Sequence, residues 1–243
     1  MSCKLFSPTL NSDLDYLALS YPWALNAPLV NVKINGLEFR IRQNLYAGLF
    51  QVRSSSSPVR LWADGVCINQ ASIPERNSQV PLICEIYSAT SKVLIWLGEA
   101  NDATDHAIEA LHKLMMLRQD IDWVLTDLHK LLPEDMKSSD FPPDKRDERI
   151  KSIKAGMNDI FTRPWFDRTW TVQELALARD DPLLLCGSSS ICWECFRATN
   201  IELDKYLAKL NLGDEDSDHW VLSGVQAILP PRKSSLSQIR LLF

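Results

Sequence analysis

The sequence predicts an α/β fold built on a mainly parallel sheet flanked by helices. Strand-like and helix-like segments alternate along the chain. Lys92–Leu97 (KVLIWL) is a near-continuous apolar run ending in Gly98, and Pro182–Cys186 (PLLLC) is a second, stopped by Gly187. Unbroken apolar runs mark strands covered on both faces, as parallel sheets require. Asn35-Gly36 between two alternating runs predicts a type I′ β-hairpin over Leu29–Ile34 and Leu37–Ile41, a decoration near the N-terminus.

Met1–Ser12 reads as a loose lead-in. Leu14–Ser20 is a first buried strand, broken at Tyr21-Pro22-Trp23. After the hairpin, Asn44–Val52 is a short helix burying Leu45, Leu49 and Phe50, and Ser54–Ser57 is a surface loop. The stretch Leu61–Gln79 organises the rest. It opens as a buried strand through Leu61, Trp62, Ala63 and Val66, and turns polar with Asp64, Asn69 and Gln70. Pro74 then suits the first turn of a helix, where a missing N–H costs nothing. That helix runs to about Ala89 with a kink or late start at Pro81. Asp102–Leu117 and Ile121–Leu132 read as helices inserted after Gly98, and Pro133–Asp147 as an exposed loop. Arg149–Phe161 is helical, Pro164-Trp165-Phe166 breaks it, and Asp167–Arg179 forms the next helix. Trp193–Leu210 is helical, and Asp214–Asp218 is an acidic loop. The main domain is expected over 1–213 with a tail over 214–243. The uncovered apolar end, Leu241-Leu242-Phe243, suggests that the natural chain continues.

The 243 residues, 46% of them apolar, suffice for one large domain. With 26 basic and 31 acidic residues the net charge is −5, which gives no support to nucleic-acid binding. The six cysteines show no disulfide-scaffold rhythm. The pair Cys192 and Cys195, without a second pair or nearby histidine, is weak ground for zinc or redox chemistry, so free thiols are expected. There is no signal-peptide pattern and no apolar run long enough to span a bilayer, so a cytoplasmic protein without membrane contact is expected. The four histidines have no metal-ligand partners in sequence, and no metal is expected.

Two stretches could carry chemistry. In open α/β sheets ligands sit outside the carboxyl ends of the strands. Asp64, Asn69 and Gln70 therefore form either a site edge or merely turns and a helix cap, and the residues leave both readings open. In Trp165–Arg179 (WFDRTWTVQELALAR), Trp170 and Glu174 lie one helical turn apart. A carboxylate beside an indole is desolvated, which raises its pKa. A core tryptophan with Glu174 paired to Arg168 or Arg179 is the commoner arrangement. Cys67 is more often a small buried hydrophobe than a nucleophile.

Taken together, these motifs resemble the fungal heterokaryon-incompatibility (HET) domain. That family shows a tyrosine followed by A-L-S-Y-x-W-G; here Tyr16–Ala24 reads YLALSYPWA. Its L-W-I-D-A-I-C-I-N-Q and E-R-x-x-Q-V resemble LWADGVCINQ and Glu75–Val80. I-Y-x-x-A and V-x-V-W-L-G resemble Ile86–Thr90 and Val93–Gly98, and R-x-W-x-x-Q-E-x-x-L-A resembles Arg168–Ala178. The resemblance runs from about Asp15 to Gly187, with Ala24 in place of glycine and Thr90 in place of alanine.

HET domains are implicated in cell death after fusion of unlike fungal cells. They are similar to Toll/interleukin-1 receptor (TIR) domains, which implies a flavodoxin-like fold. Some TIR domains cleave NAD at the nicotinamide–ribose bond with a glutamate in a W-x-x-x-E helix, a spacing that Trp170–Glu174 shares. The resemblance thus implies Glu174 as catalytic carboxylate. It also implies substrate contacts from Tyr21, Trp23, Asp64, Asn69, Gln70, Arg76, Gln79, Arg168 and Trp170. NAD would be substrate rather than cofactor. Self-association into a homo-oligomer, and an upstream sensor or regulatory region, are further expectations. The alternative is a non-enzymatic signalling module working by homotypic assembly. A nuclease is disfavoured by the acidic balance and the lack of clustered metal-binding carboxylates.

Overall fold

The computed structural model describes residues 1–7, 14–116 and 128–200. The strands in chain order are β1 (Ser2–Cys3), β2 (Leu17–Ser20), β3 (Leu29–Ile34), β4 (Leu37–Arg42), β5 (Leu61–Trp62), β6 (Lys92–Gly98), β7 (Leu183–Cys186) and β8 (Ser189–Cys192). The helices are α1 (Gln43–Val52), α2 (Asp64–Cys67), α3 (Ile73–Gln79), α4 (Ile83–Ala89), α5 (Asp102–Met116), α6 (Pro143–Phe161), α7 (Thr171–Leu177) and α8 (193–200).

The main sheet has the order β5-β2-β6-β7-β8. β5, β2, β6 and β7 are mutually parallel, and β8 closes the edge antiparallel to β7. Starting from β2, the chain places β5 on one side and then crosses to put β6 on the other. Winding therefore reverses between β2 and β6, the topological switch point where open α/β sheets receive ligands.

The apolar runs work as the sequence predicts, because alternate residues enter different cores. Val93, Ile95 and Leu97 of β6 join Ile108, Leu111, Trp165, Phe166 and Phe196 under the α5–α8 layer. Leu94 and Trp96 join Leu19, Tyr21, Val32, Ile41 and Leu45 under α1 and the hairpin. That hairpin, β3–β4, belongs to a second sheet of order β1-β3-β4. Asn35 (φ 52°) and Gly36 (φ 83°) both take the left-handed region that a type I′ turn demands.

Several expectations need correction. Met1–Ser12 is not wholly loose: Ser2–Cys3 pairs in parallel with Lys33–Ile34. The central strand stops at Trp62, and Asp64–Cys67, including Val66, is one helical turn. This turns the Asp64 side chain off the strand while the Ile68 N–H closes on the Asp64 carbonyl. Pro81 does interrupt its helix. α3 and α4 are separated by a 3-10 turn, Val80–Leu82, because proline offers no N–H. Pro133–Asp147 is only partly loop, since α6 begins at Pro143, with proline at its first position. The helix expected over Asp167–Arg179 is shorter, with Arg168 and Trp170 in the turns that lead into α7. Ser189–Cys192, which the sequence assigns to no element, forms β8. The sulfurs of Cys192 and Cys195 are bonded, whereas Cys3, Cys67, Cys84 and Cys186 are free. Most of the helix expected over Ile121–Leu132, and the chain beyond residue 200 with the 214–243 tail, lie outside the described residues. No helix among the described residues is long and apolar enough to cross a membrane.

α5 and α6 pack closely because α6 carries Gly156 at the contact. A Cβ built there would sit 1.9 Å from the Ala103 carbonyl oxygen, a backbone atom with nowhere to go. Gly156→Ala is expected to push the two helices apart and destabilise the domain by about 1–3 kcal/mol or more, read as a lower urea midpoint at unchanged slope.

Candidate functional site

A buried polar cluster gathers at the carboxyl end of β2, beside the switch point. Ser20 ends β2 and is 1% exposed. Its hydroxyl donates to Glu174 Oε2 on α7 and accepts from Trp165 Nε1 at 2.6 Å. The other carboxylate oxygen, Oε1, lies 3.5 Å from Arg168 Nη2. Arg168 also donates from Nη1 to the Tyr21 carbonyl at 2.6 Å. One guanidinium thus bridges the acidic group to the backbone that follows β2.

The network continues outward. The Tyr21 hydroxyl lies against Gly65 and faces the Asp64 carboxylate. Trp23 Nε1 donates to Asp64 Oδ2 at 2.9 Å, and Gln70 Nε2 donates to the Asp64 carbonyl at 2.9 Å. Asp64 therefore ties three segments together: the β2 exit, the α2 turn and the loop before α3. Local geometry explains each placement. Pro22 and Pro164 interrupt β2 and α6 where the chain must turn, and the Phe166 N–H closes back on the Arg163 carbonyl so that Trp165 faces inward.

Charge follows burial. Glu174 is 5% exposed, and its pKa is raised above the ordinary carboxylate range by desolvation, with Arg168 and then Ser20 pulling it back. The Tyr21 and Tyr87 phenols are both pushed up, by burial first and then by neighbouring carboxylates, Asp64 for Tyr21 and Glu174 before Asp64 for Tyr87. The centre thus holds two carboxylates and two phenols that disfavour further negative charge.

The structure joins Tyr21, Trp23, Asp64, Gln70, Arg168 and Glu174 in one network, and it distributes the remaining candidates elsewhere. Asn69 is exposed and caps a turn: its Oδ1 accepts from the Ala71 N–H, while its own N–H donates to Glu75 Oε1. Arg76 is exposed on α3 and Gln79 is half-buried at its end. Among the described residues neither bonds to the cluster. Trp170 is 49% exposed just before α7, so the indole that reaches Glu174 through Ser20 is Trp165, at 0%. Ser20 and Trp165 are the functional candidates that sequence reasoning passed over. A serine ending an apolar strand signals a partner, because a buried hydroxyl must be satisfied. Thr90, the departure from the expected alanine, is fully buried and donates to the Tyr16 carbonyl at 2.8 Å, which fastens the start of β6 to β2.

Comparison with known proteins fits this arrangement. The family described as Heterokaryon incompatibility protein (HET) matches residues 16–174, a span that begins just before β2 and ends on Glu174. The chain is 26% identical over 259 aligned residues to Heterokaryon incompatibility protein 6, OR allele, of Neurospora crassa. That alignment covers 94% of this chain but only 38% of the relative. No solved structure matches. With residues 16–174, well over half of its length, matched by the family, this chain belongs to the heterokaryon-incompatibility family.

Proposed function

We propose that this domain is a cytoplasmic cell-death effector of fungal heterokaryon incompatibility that cleaves NAD at its nicotinamide–ribose bond when copies associate. The observation that carries the reading is the placement of the Glu174 carboxylate at the carboxyl end of β2, at the switch of the sheet. The strand order supports a TIR-like kinship: numbered by appearance within the main sheet, β5-β2-β6-β7 reads 2-1-3-4, the doubly wound flavodoxin-like order.

The residues suit the reaction. Breaking the N-glycosidic bond sends its electron pair to nicotinamide, which leaves neutral, and positive charge develops on the ribose. Water adds to the anomeric carbon and loses a proton to solvent. An ionised Glu174 stabilises the ribosyl cation and accepts hydrogen bonds from the ribose hydroxyls. Arg168 favours that ionised state. Asp64, with Trp23 and Gln70 fastened to it, forms the outer wall, and the exposed Trp23 indole offers a stacking face. In the lone chain both Glu174 oxygens are engaged, so the domain is latent until association frees one of them for the ribose while Arg168 stays near enough to keep the carboxylate ionised. An upstream sensing region, in a longer protein such as the relative, would supply the trigger.

A second reading, a non-enzymatic module that signals by homotypic assembly, is favoured by the burial of Glu174 and the engagement of both its oxygens. One experiment separates the two. Purified domain, dilute and concentrated, is incubated with NAD, and nicotinamide is followed by chromatography. Release that rises with concentration and vanishes in Glu174→Gln supports the enzyme; no release in any assembled state favours the module.

A further inference from the structure

β4 forms one edge of the hairpin sheet, and nothing among the described residues pairs with its outer side. The sequence of that edge is Leu37-Glu38-Phe39-Arg40-Ile41-Arg42. Its free backbone groups follow from the turn. In a two-residue hairpin the flanking pair, Ile34 and Leu37, exchanges both hydrogen bonds, and bonding then alternates. The N–H and C=O of Glu38 and Arg40 therefore point away from β3, while Arg42 is already the N-cap of α1. Natural edges are usually blunted by a bulge, proline or lysine, and β4 has none of these over its six residues. Instead it exposes Leu37 (74%) and Phe39 (46%).

We propose that β4 docks antiparallel against β4 of a second copy of this chain, in the register that sets Phe39 opposite Phe39. In that register Glu38 faces Arg40 of the second copy, and Arg40 faces its Glu38, with all four residues presenting free backbone groups to one another. Leu37 takes the position opposite the core residue Ile41, and the two exposed phenylalanines meet on the dyad. The strand is thus complementary to itself in charge, in apolar contact and in hydrogen bonding. Neighbouring registers are worse. Centring on Glu38 or on Arg40 opposes like charges, and a one-residue slip puts apolar side chains against charged ones. Arg42 is committed elsewhere, since its Nη1 donates to the Ala27 carbonyl at 2.8 Å. Neither Glu38 nor Arg40 is in an ion pair among the described residues, although Lys33 sits directly opposite Glu38 on β3.

This surface supplies the self-association that the proposed function invokes, but it does not require NAD cleavage, and its test reads mass rather than product. In sedimentation velocity the wild-type chain is expected to shift from monomer to dimer with concentration. Glu38→Arg and Arg40→Glu each set like charges across both contacts and are expected to weaken the dimer about tenfold or more. Mixing the two variants restores complementarity, because one strand then carries two arginines and the other two glutamates. The double variant E38R/R40E restores it within one chain. Phe39→Cys is expected to cross-link to itself under oxidation above the wild-type background. Leu37→Cys is not, because its copies lie four residues apart. Circular dichroism confirms that each variant is folded. A wild-type chain that stays monomeric throughout, or single variants that associate as well as wild type, would overturn the proposal, whatever the NAD assay reports.

Discussion

Trp165→Ala is expected to destabilise the domain by roughly 3–5 kcal/mol, the range for deleting a large buried aromatic. Trp165 is fully buried and packs edge-on against Phe166 and Trp193, which continue into Phe196 and Phe161. Its removal opens a cavity under the main sheet and takes the only donor bonded to the Ser20 oxygen among the described residues. Trp165→Phe separates the two losses. The phenyl ring keeps most of the packing but has no N–H, so the expected cost falls to about 1–3 kcal/mol. Urea unfolding of the two variants measures the split. Ser20 freed from the indole still donates to Glu174, so in the phenylalanine variant the carboxylate keeps that partner with a less firmly oriented hydroxyl.

The contrast between Trp165 and Trp170 shows where the sequence is legible. Elements coded by neighbours along the chain are readable. The β6 run, the Asn35-Gly36 turn and the break at Pro81 each follow from local stereochemistry, and each is found where the residues put it. Elements that depend on distant partners are not. Ser189–Cys192 has no strand signature of its own and becomes β8 because β7 offers an edge. The hydrogen bond between Ser20 and Trp165 spans 145 positions, and no spacing rule reaches that far. The helical i, i+4 rule picks Trp170 as the neighbour of Glu174. However, α7 begins at Thr171 and leaves Trp170 half-exposed, and the tight turn over 163–168 delivers the other tryptophan. Of the candidate site, the residues at the β2 exit and on α2 come together because strand ends and the winding of the sheet gather them. Asn69, Arg76 and Gln79 follow their own local turn and helix instead.

Glu174→Ala is expected to cost roughly 3–5 kcal/mol, whereas Glu174→Gln is expected to be nearly neutral at low pH and to gain on wild type as pH rises. The alanine variant strands the Arg168 guanidinium and the Ser20 hydroxyl in a buried space, and an ion pair broken from one side leaves an uncompensated charge. Glutamine fills the same volume, and its carbonyl oxygen can still accept one of those donors. The pH dependence follows from burial. Desolvation lifts the Glu174 pKa above its unfolded value, so between the two values the native state holds more protons than the unfolded chain. Stability then falls with rising pH in that window. The contribution of Glu174 is complete below the ordinary glutamate pKa of about 4.3 and is lost as pH climbs through the raised native value. Glutamine does not titrate, so the difference between variant and wild type in urea midpoint should move in favour of the variant across that interval. A flat difference would mean that Arg168 and Ser20 offset desolvation and leave the carboxyl titrating as it does in the unfolded chain, and a difference that moves toward wild type would mean that they hold it ionised. The same ionisation governs the proposed chemistry in the opposite direction. A ribosyl cation needs the carboxylate charged, so nicotinamide release should rise with pH over the interval in which wild-type stability declines.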